Sequence, residues 1–136
     1  MDLDMAAWCA GFIDGEGSIR LVKNARTYAP CIEAAQATYR EPLDRLQINL
    51  GGIVTQRSRL TVNGKIVYHW AWKSASQIRE HLPGLIKYMT AKREQAEVLL
   101  TYVNSMSGRG GNNRLADDVV EWRHQQYQLL IDLKKR

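Results

Sequence analysis

A chain of 136 residues is the size of one domain, residues 1–136, and 45% hydrophobic residues are enough for a packed core. No apolar run reaches the roughly 18 residues of a membrane-spanning helix, and the start, Met1 to Asp4, is acidic where a signal peptide is basic, so an intracellular protein with no membrane partner is expected. The net charge of +5 is unevenly spread: residues 20–73 hold nine Lys/Arg against Glu33, Glu41 and Asp44, while the first 16 residues hold four acids and no base. Such a basic surface attracts a polyanion, with nucleic acid first in line.

The first element predicted is a helix over Asp4 to Ile13, with Asp4 as N-cap and Met5, Trp8, Cys9 and Phe12 on one face. It runs into Asp14-Gly15-Glu16-Gly17. A helix C-terminus carries partial negative charge, so two acids there need a reason, and a cation is one. Ser18 to Asn24 and Cys31 to Tyr39 read as strands, paired through a turn over Ala25 to Pro30. Pro42 opens a short helix carrying Leu43, Leu46 and Leu50, which stops at Gly51-Gly52. Ile53 to Leu60 and Lys65 to Trp72 flank Asn63-Gly64, a strong hairpin signal. Alternation assigns Ile66, Tyr68, Trp70 and Trp72 to the core, which makes the tryptophans packing residues rather than platforms for single-stranded bases. Thr55, Arg57 and Arg59 share the other face, the arginines about 7 Å apart. Helices follow over Ser76 to Leu82, Thr90 to Met106 and Asp117 to Leu133, with a flexible loop over Ser107 to Asn113.

This order implies an α+β fold: an αββαββα core with one four-stranded antiparallel sheet, helices on one face, and an extra C-terminal helix. The free face carries the arginines, and a twisted sheet of this size fits the major groove of duplex DNA. Alternation nominates Arg20, Asn24, Glu33, Thr55, Arg57, Arg59, Lys65 and His69 as base readers, Arg57 and Arg59 foremost for guanine, with Arg20 and His69 open to phosphate contact instead. Arg26, in the turn, joins them as a DNA contact. Cys9 and Cys31 lack metal-ligand spacing and read as reduced, buried residues. His81 and His124 read as ordinary surface or packing residues.

The segment Ala10-Gly11-Phe12-Ile13-Asp14-Gly15-Glu16-Gly17, preceded by Cys9 and followed by Ser18-Ile19, resembles the signature of the LAGLIDADG homing endonucleases. Glu16 stands where Asp is commoner. The order of elements over residues 4–106 matches that family's core. The resemblance implies a homodimer built on the motif helix, with Trp8, Ala10, Gly11, Asp14 and Gly15 at the interface; Gly11 and Gly15, four apart, allow close backbone approach. Two Glu16 carboxylates are then side by side and repel unless divalent cations lie between them. Mg²⁺ suits carboxylate and carbonyl oxygens, here Glu16 and the Gly15 carbonyl, with Mn²⁺ or Ca²⁺ able to substitute in binding.

The implied activity is hydrolysis of both strands of a long, nearly palindromic double-stranded DNA site, leaving short 3′ overhangs. By the same resemblance Lys92 lies near the scissile phosphates, and Gln36 and Arg40 organise solvent. The alternatives are an RNA maturase, whose partner is its own intron, and a regulator that binds DNA without cutting. An unrelated enzyme using Asp14 and Glu16 as an acid/base pair lacks pocket-forming residues to accompany them. The resemblance leaves host and compartment open: bacterial, archaeal or phage-infected cytoplasm, or an organelle. The loop and last helix are assigned packing, or phosphate contact through Arg109, Arg114 and the terminal Lys-Lys-Arg.

Overall fold

The computed structural model describes residues 1–57, 63–106 and 115–135. Helix α1, Leu3–Glu16, is capped by the Asp2 carboxylate, which accepts the Met5 N–H at 2.7 Å, so the N-cap lies two residues earlier than the Asp4 expected. The helix also runs three residues past Ile13 and places both acids inside its last turn. Gly17 closes it, donating its N–H to the Ile13 carbonyl; a β-carbon at Gly17 would lie 2.5 Å from that oxygen, so only glycine makes this step from helix to strand.

Strands β1, Gly17–Asn24, and β2, Thr27–Ala37, pair from Gly17 with Ala34 to Asn24 with Thr27. The turn is therefore Ala25-Arg26 alone, with Ala25 at φ 53°, and not the six-residue turn expected from Pro30. Pro30 fits inside β2 because pairing with the next strand begins only at Ile32, so its missing N–H breaks no ladder there. After Tyr39, helix α2, Glu41–Leu50, carries Pro42 in its first turn and ends at Gly51.

Strands β3, Ile53–Gln56, and β4, Val67–Trp72, complete an antiparallel sheet in the order β1-β2-β4-β3. The Asn63-Gly64 expectation fails in register. Val54 pairs with Trp70 and Thr55 with His69, whereas a tight two-residue turn at 63 and 64 pairs Val54 with Lys73 and Thr55 with Trp72. That slip by an odd number of residues mixes the faces, and burial of Trp70 and Trp72 overrides the local turn preference. β3 is also shorter than the run to Leu60; Arg57 donates one further bond to Val67, and the rest of the run, including Arg59, lies outside the described residues. Ile66, expected in the core, is exposed because it precedes β4.

Helix α3, Ala75–Ile86, is capped by the Ser74 hydroxyl and continues through Pro83 rather than stopping at Leu82. Helix α4, Arg93–Ser105, starts three residues later than Thr90, and helix α5, Asp117–Lys134, follows the expected span closely. The loop from 107 to 114, with Arg109 and Arg114, lies outside the described residues, as does Arg136. No described helix is long and apolar enough to cross a membrane.

The core lies between the helices and one sheet face. Ile19, Leu21, Ile32, Ala34, Trp70 and Trp72 turn inward against Leu43, Leu46, Leu82, Leu99 and Tyr102. The two indoles finish α2: Trp72 Nε1 donates to the Leu50 carbonyl at 2.8 Å and Trp70 Nε1 to the Gly51 carbonyl at 2.9 Å. Cys9 and Cys31 are free thiols and buried, and burial lifts the Cys9 pKa to about 11 despite the Arg45 charge beside it. His81 stacks on Trp72, and His124 shares a 2.7 Å hydrogen bond with the Tyr28 hydroxyl, so both serve packing as expected.

Candidate nucleic-acid interface and catalytic centre

The end of α1 holds two acids in different states. Glu16 is exposed, and its carboxylate makes no hydrogen bond or ion pair with another described residue. The Asp14 carboxylate turns the other way, accepting the N–H of Ala91 at 3.1 Å and that of Lys92 at 2.8 Å. These N–H groups open α4, whose N-cap residue, Lys92, has no side-chain cap of its own; an acid from another helix takes that role. Partial burial works against ionisation of Asp14, but the backbone N–H groups of Lys92, Ala91 and Thr90, with the Lys92 charge, outweigh it and hold the carboxyl below its ordinary range.

The same contact carries Lys92 to the motif. Its ammonium donates to the Asp14 carbonyl at 2.6 Å, two residues before Glu16. A lysine placed from sequence 76 positions downstream is thus beside the acidic helix end. This lysine neutralises one of the last-turn carbonyls that would otherwise lack a partner.

Gln36 lies two residues beyond the partner of Gly17, at the end of the sheet where α1 stops, opposite Tyr68 and on the helix-facing side. Arg40 stands at the N-cap position of α2 and pairs with Asp44 at 2.9 Å. Neither is on the free sheet face.

That free face carries Arg20, Val22 and Asn24 of β1, Cys31 and Glu33 of β2, His69 of β4 and Thr55 of β3, in the register of the sheet. Arg57 and Lys65 are exposed beyond the strand ends, and Arg59 lies outside the described residues. The nominees that lie within strands, Arg20, Asn24, Glu33, Thr55 and His69, share this face, but four of the nominated residues, Arg20, Arg26, Glu33 and His69, are engaged in ion pairs. Arg26 pairs with Asp117 of α5 at 3.0 Å, and Glu33 is held between Arg20 and His69 at 2.9 and 3.0 Å. Helix α5 also reaches this edge, which no periodicity announces: Lys134 lines a groove of about 300 Å³ with Arg20 and Lys23. Burial, then the nearby Arg20 charge, lowers the Lys134 pKa despite Glu33. The terminal run of bases was the one sequence signal for it.

On α1, the exposed stripe is Leu3, Ala7, Gly11 and Gly15, each four residues from the last. Ala10, expected at a helix-to-helix interface, is fully buried inside its own chain. Trp8 is half-buried, stacked on Phe12 with the Arg45 guanidinium 4.7 Å from its ring centre. A β-carbon added at Gly11 or Gly15 meets nothing within 4 Å, so these positions are small for no reason inside the protomer.

Among the described residues of one chain, no three His, Cys, Asp or Glu side chains converge as a metal site. The donor set nonetheless fits a hard divalent cation. An exposed carboxylate without a cationic partner adjoins the Gly15 carbonyl in the last helical turn, and both are the oxygen donors that such an ion takes.

No family model matches the sequence, and no curated protein matches it. Solved structures match at low identity. The homing endonuclease I-CvuI, in complex with its target in the presence of calcium, is 19% identical with a TM-score of 0.59, over 93% of this chain and 96% of that one. The archaeal intron-encoded homing endonuclease I-Vdi141I, complexed with DNA, is 18% identical with a TM-score of 0.57, over 91% and 96%. The LAGLIDADG meganuclease I-AabMI, bound to uncleaved DNA, is 16% identical with a TM-score of 0.70 over 90% of this chain but 43% of its own. From motif, element order and sheet topology together, the chain has the fold of the LAGLIDADG homing endonucleases.

Proposed function

We propose that the chain is a homodimeric, site-specific homing endonuclease that hydrolyses both strands of a long pseudo-palindromic DNA duplex and leaves 3′ overhangs. The observation that carries this reading is the unpartnered, exposed Glu16 carboxylate at the foot of the free sheet face, with the Lys92 ammonium anchored two residues away and Arg57 and Lys65 exposed beyond the strand ends. DNA complexes of I-CvuI and I-Vdi141I, which share the fold, support the same substrate, and an origin inside an intron is in keeping with I-Vdi141I.

In the dimer, the exposed stripe ending at Gly11 and Gly15 meets its symmetry mate, and each copy contributes one Glu16. Glu16 and the Gly15 carbonyl would hold Mg²⁺. When bound, the ion supplies the positive charge that polarises the scissile phosphate and makes water acidic enough to attack near neutral pH. The chain's own residues do the rest. The free face seats the major groove and fixes which phosphates lie over the acids. The Lys92 ammonium, held by the Asp14 carbonyl, offers its remaining N–H groups to the charge that grows on phosphate oxygens. Gln36, at the strand end, and Arg40, once released from Asp44, order water for in-line attack as the bond to the 3′ oxygen breaks.

The test uses Glu16→Gln and a duplex containing the rejoined flanks of the interrupted host gene, or one selected from a randomised library. The parent should cut it with Mg²⁺ and bind it without cutting in Ca²⁺. The variant should bind within a few-fold of the parent yet lose cutting by at least about a hundredfold, the loss of most of a charge-stabilising contact. Appreciable nicking by the variant removes Glu16 from the mechanism.

A further inference from the structure

Glu33 faces the free side of the sheet, where a carboxylate would ordinarily read cytosine by accepting from its amino group. Both of its oxygens are already engaged inside the sheet. Oε1 accepts from Arg20 Nη2 at 2.9 Å and Oε2 from His69 Nε2 at 3.0 Å, and the Cys31 thiol lies 3.9 Å from Oε2. The Glu33 and His69 side chains are only 18% and 17% exposed, whereas Arg20 is 46% exposed.

The sheet register explains the grouping. Arg20 sits opposite Cys31, and His69 opposite Ala35, so Glu33 meets each along a diagonal, and the group crosses three adjacent strands. Diagonal neighbours are within reach only of long side chains. Glutamate between arginine and histidine satisfies that reach on both sides.

We infer that Arg20 is a guanine-reading residue, once per half-site, and that Glu33 and His69 are positioning residues which hold its guanidinium. The assignment rests on the DNA reading above. A guanidinium offers five N–H groups in a planar fork, and its ion pair with Glu33 uses one edge while leaving the exposed remainder toward the groove. Held in place, the fork gives up less side-chain freedom on meeting guanine O6 and N7 than an arginine free in solvent. The negative charge of Glu33 beside it opposes a phosphate at this point, which favours base contact over backbone contact. The His69 Nε2–H locks Glu33 from the far side and, in the neutral ring, leaves Nδ1 as an acceptor. By strand rise Arg20 lies about 13 Å along β1 from Glu16, so its base pair lies nearer the cut than any contacted from the Ala25-Arg26 turn.

The experiment profiles base preference, position by position, over a randomised duplex library for the parent and for Arg20→Ala, Glu33→Ala, Glu33→Gln and the double variant Arg20→Ala/Glu33→Ala, with a thermal melt of each to confirm folding. Arg20→Ala should lose about tenfold or more of the guanine preference at one position of each half-site and leave the others intact. Glu33→Ala should weaken the same preference several-fold, Glu33→Gln should recover part of it through its remaining acceptor, and the double variant should match Arg20→Ala alone. Glu33→Ala acting at a different position makes Glu33 a reader in its own right and overturns the inference. So does a uniform loss of affinity in Arg20→Ala, the mark of a phosphate contact. A parent that enriches no duplex overturns the DNA reading, and this assignment with it.

Discussion

At the scale of single residues, the two acids that end α1 have separated into different jobs. Glu16 is left open, while Asp14 is spent on the first N–H groups of α4. The linkage has a definite sign. Asp14 ionises in the folded chain below its ordinary value of 3.8, so it adds stability above that pH and the gain is lost as pH falls through the lower, folded-state value. Asp14→Asn should therefore lower the melting temperature near pH 7 by roughly 3 to 5 °C, the loss of about 1 kcal/mol of capping. The deficit should begin to shrink as pH falls below about 4, where the carboxyl of the unfolded chain takes up its proton, and should disappear once the folded parent's own carboxylate is protonated at lower pH. A deficit that stays constant from pH 7 to pH 2 would show that ionisation of Asp14 plays no part. No local pattern encodes the partners of Asp14, because 77 and 78 residues separate it from Ala91 and Lys92. Glu33 is the parallel case: alternation gives its face correctly, but which neighbours hold it depends on strand register.

Between elements, burial decided where local chemistry disagreed with it. Asn63-Gly64 asks for a tight turn, yet the tryptophan face of β4 sets the register against β3, and the turn preference yields. Pro83 asks for a helix end, yet Leu82, Leu85 and Ile86 on either side pack into the core and α3 continues. Periodicity was reliable wherever it spanned a whole element, as in β1 and α5, and least reliable at ends, where one residue's preference competes with packing. The Gly51-Gly52 step is a point at which the two agree. Gly52 has φ 89°, and a β-carbon there would lie 2.6 Å from the Trp70 indole nitrogen and 2.8 Å from the Ala71 carbonyl oxygen. Gly52→Ala should destabilise the chain by more than about 1 kcal/mol, through the strained backbone and a displaced indole together. Denaturant unfolding measures it; a change within error would mean that this junction relaxes freely.

For the whole molecule, the proposed dimer makes the sharpest demand on the structure. That proposal rests on the exposed α1 stripe from Leu3 to Gly15. Because a side chain at Gly15 meets nothing in its own chain, Gly15→Leu should leave the protomer folded, with a melt and circular dichroism like the parent's, and convert dimer to monomer. Analytical ultracentrifugation distinguishes the outcomes, and an unchanged dimer removes this stripe from the interface. Activity should fall with assembly, since one copy then carries one carboxylate.

The bridge from Asp14 to the start of α4 has a consequence for such an assembly. The Asp14 carboxylate and the Lys92 ammonium are fastened to each other's backbone within one chain, so in the proposed dimer the lysine and the helix end that carries Glu16 would move as a single piece, and a tilt between two copies would alter only the spacing between them. Each copy would thus keep its own lysine in place whatever the angle at which the two meet.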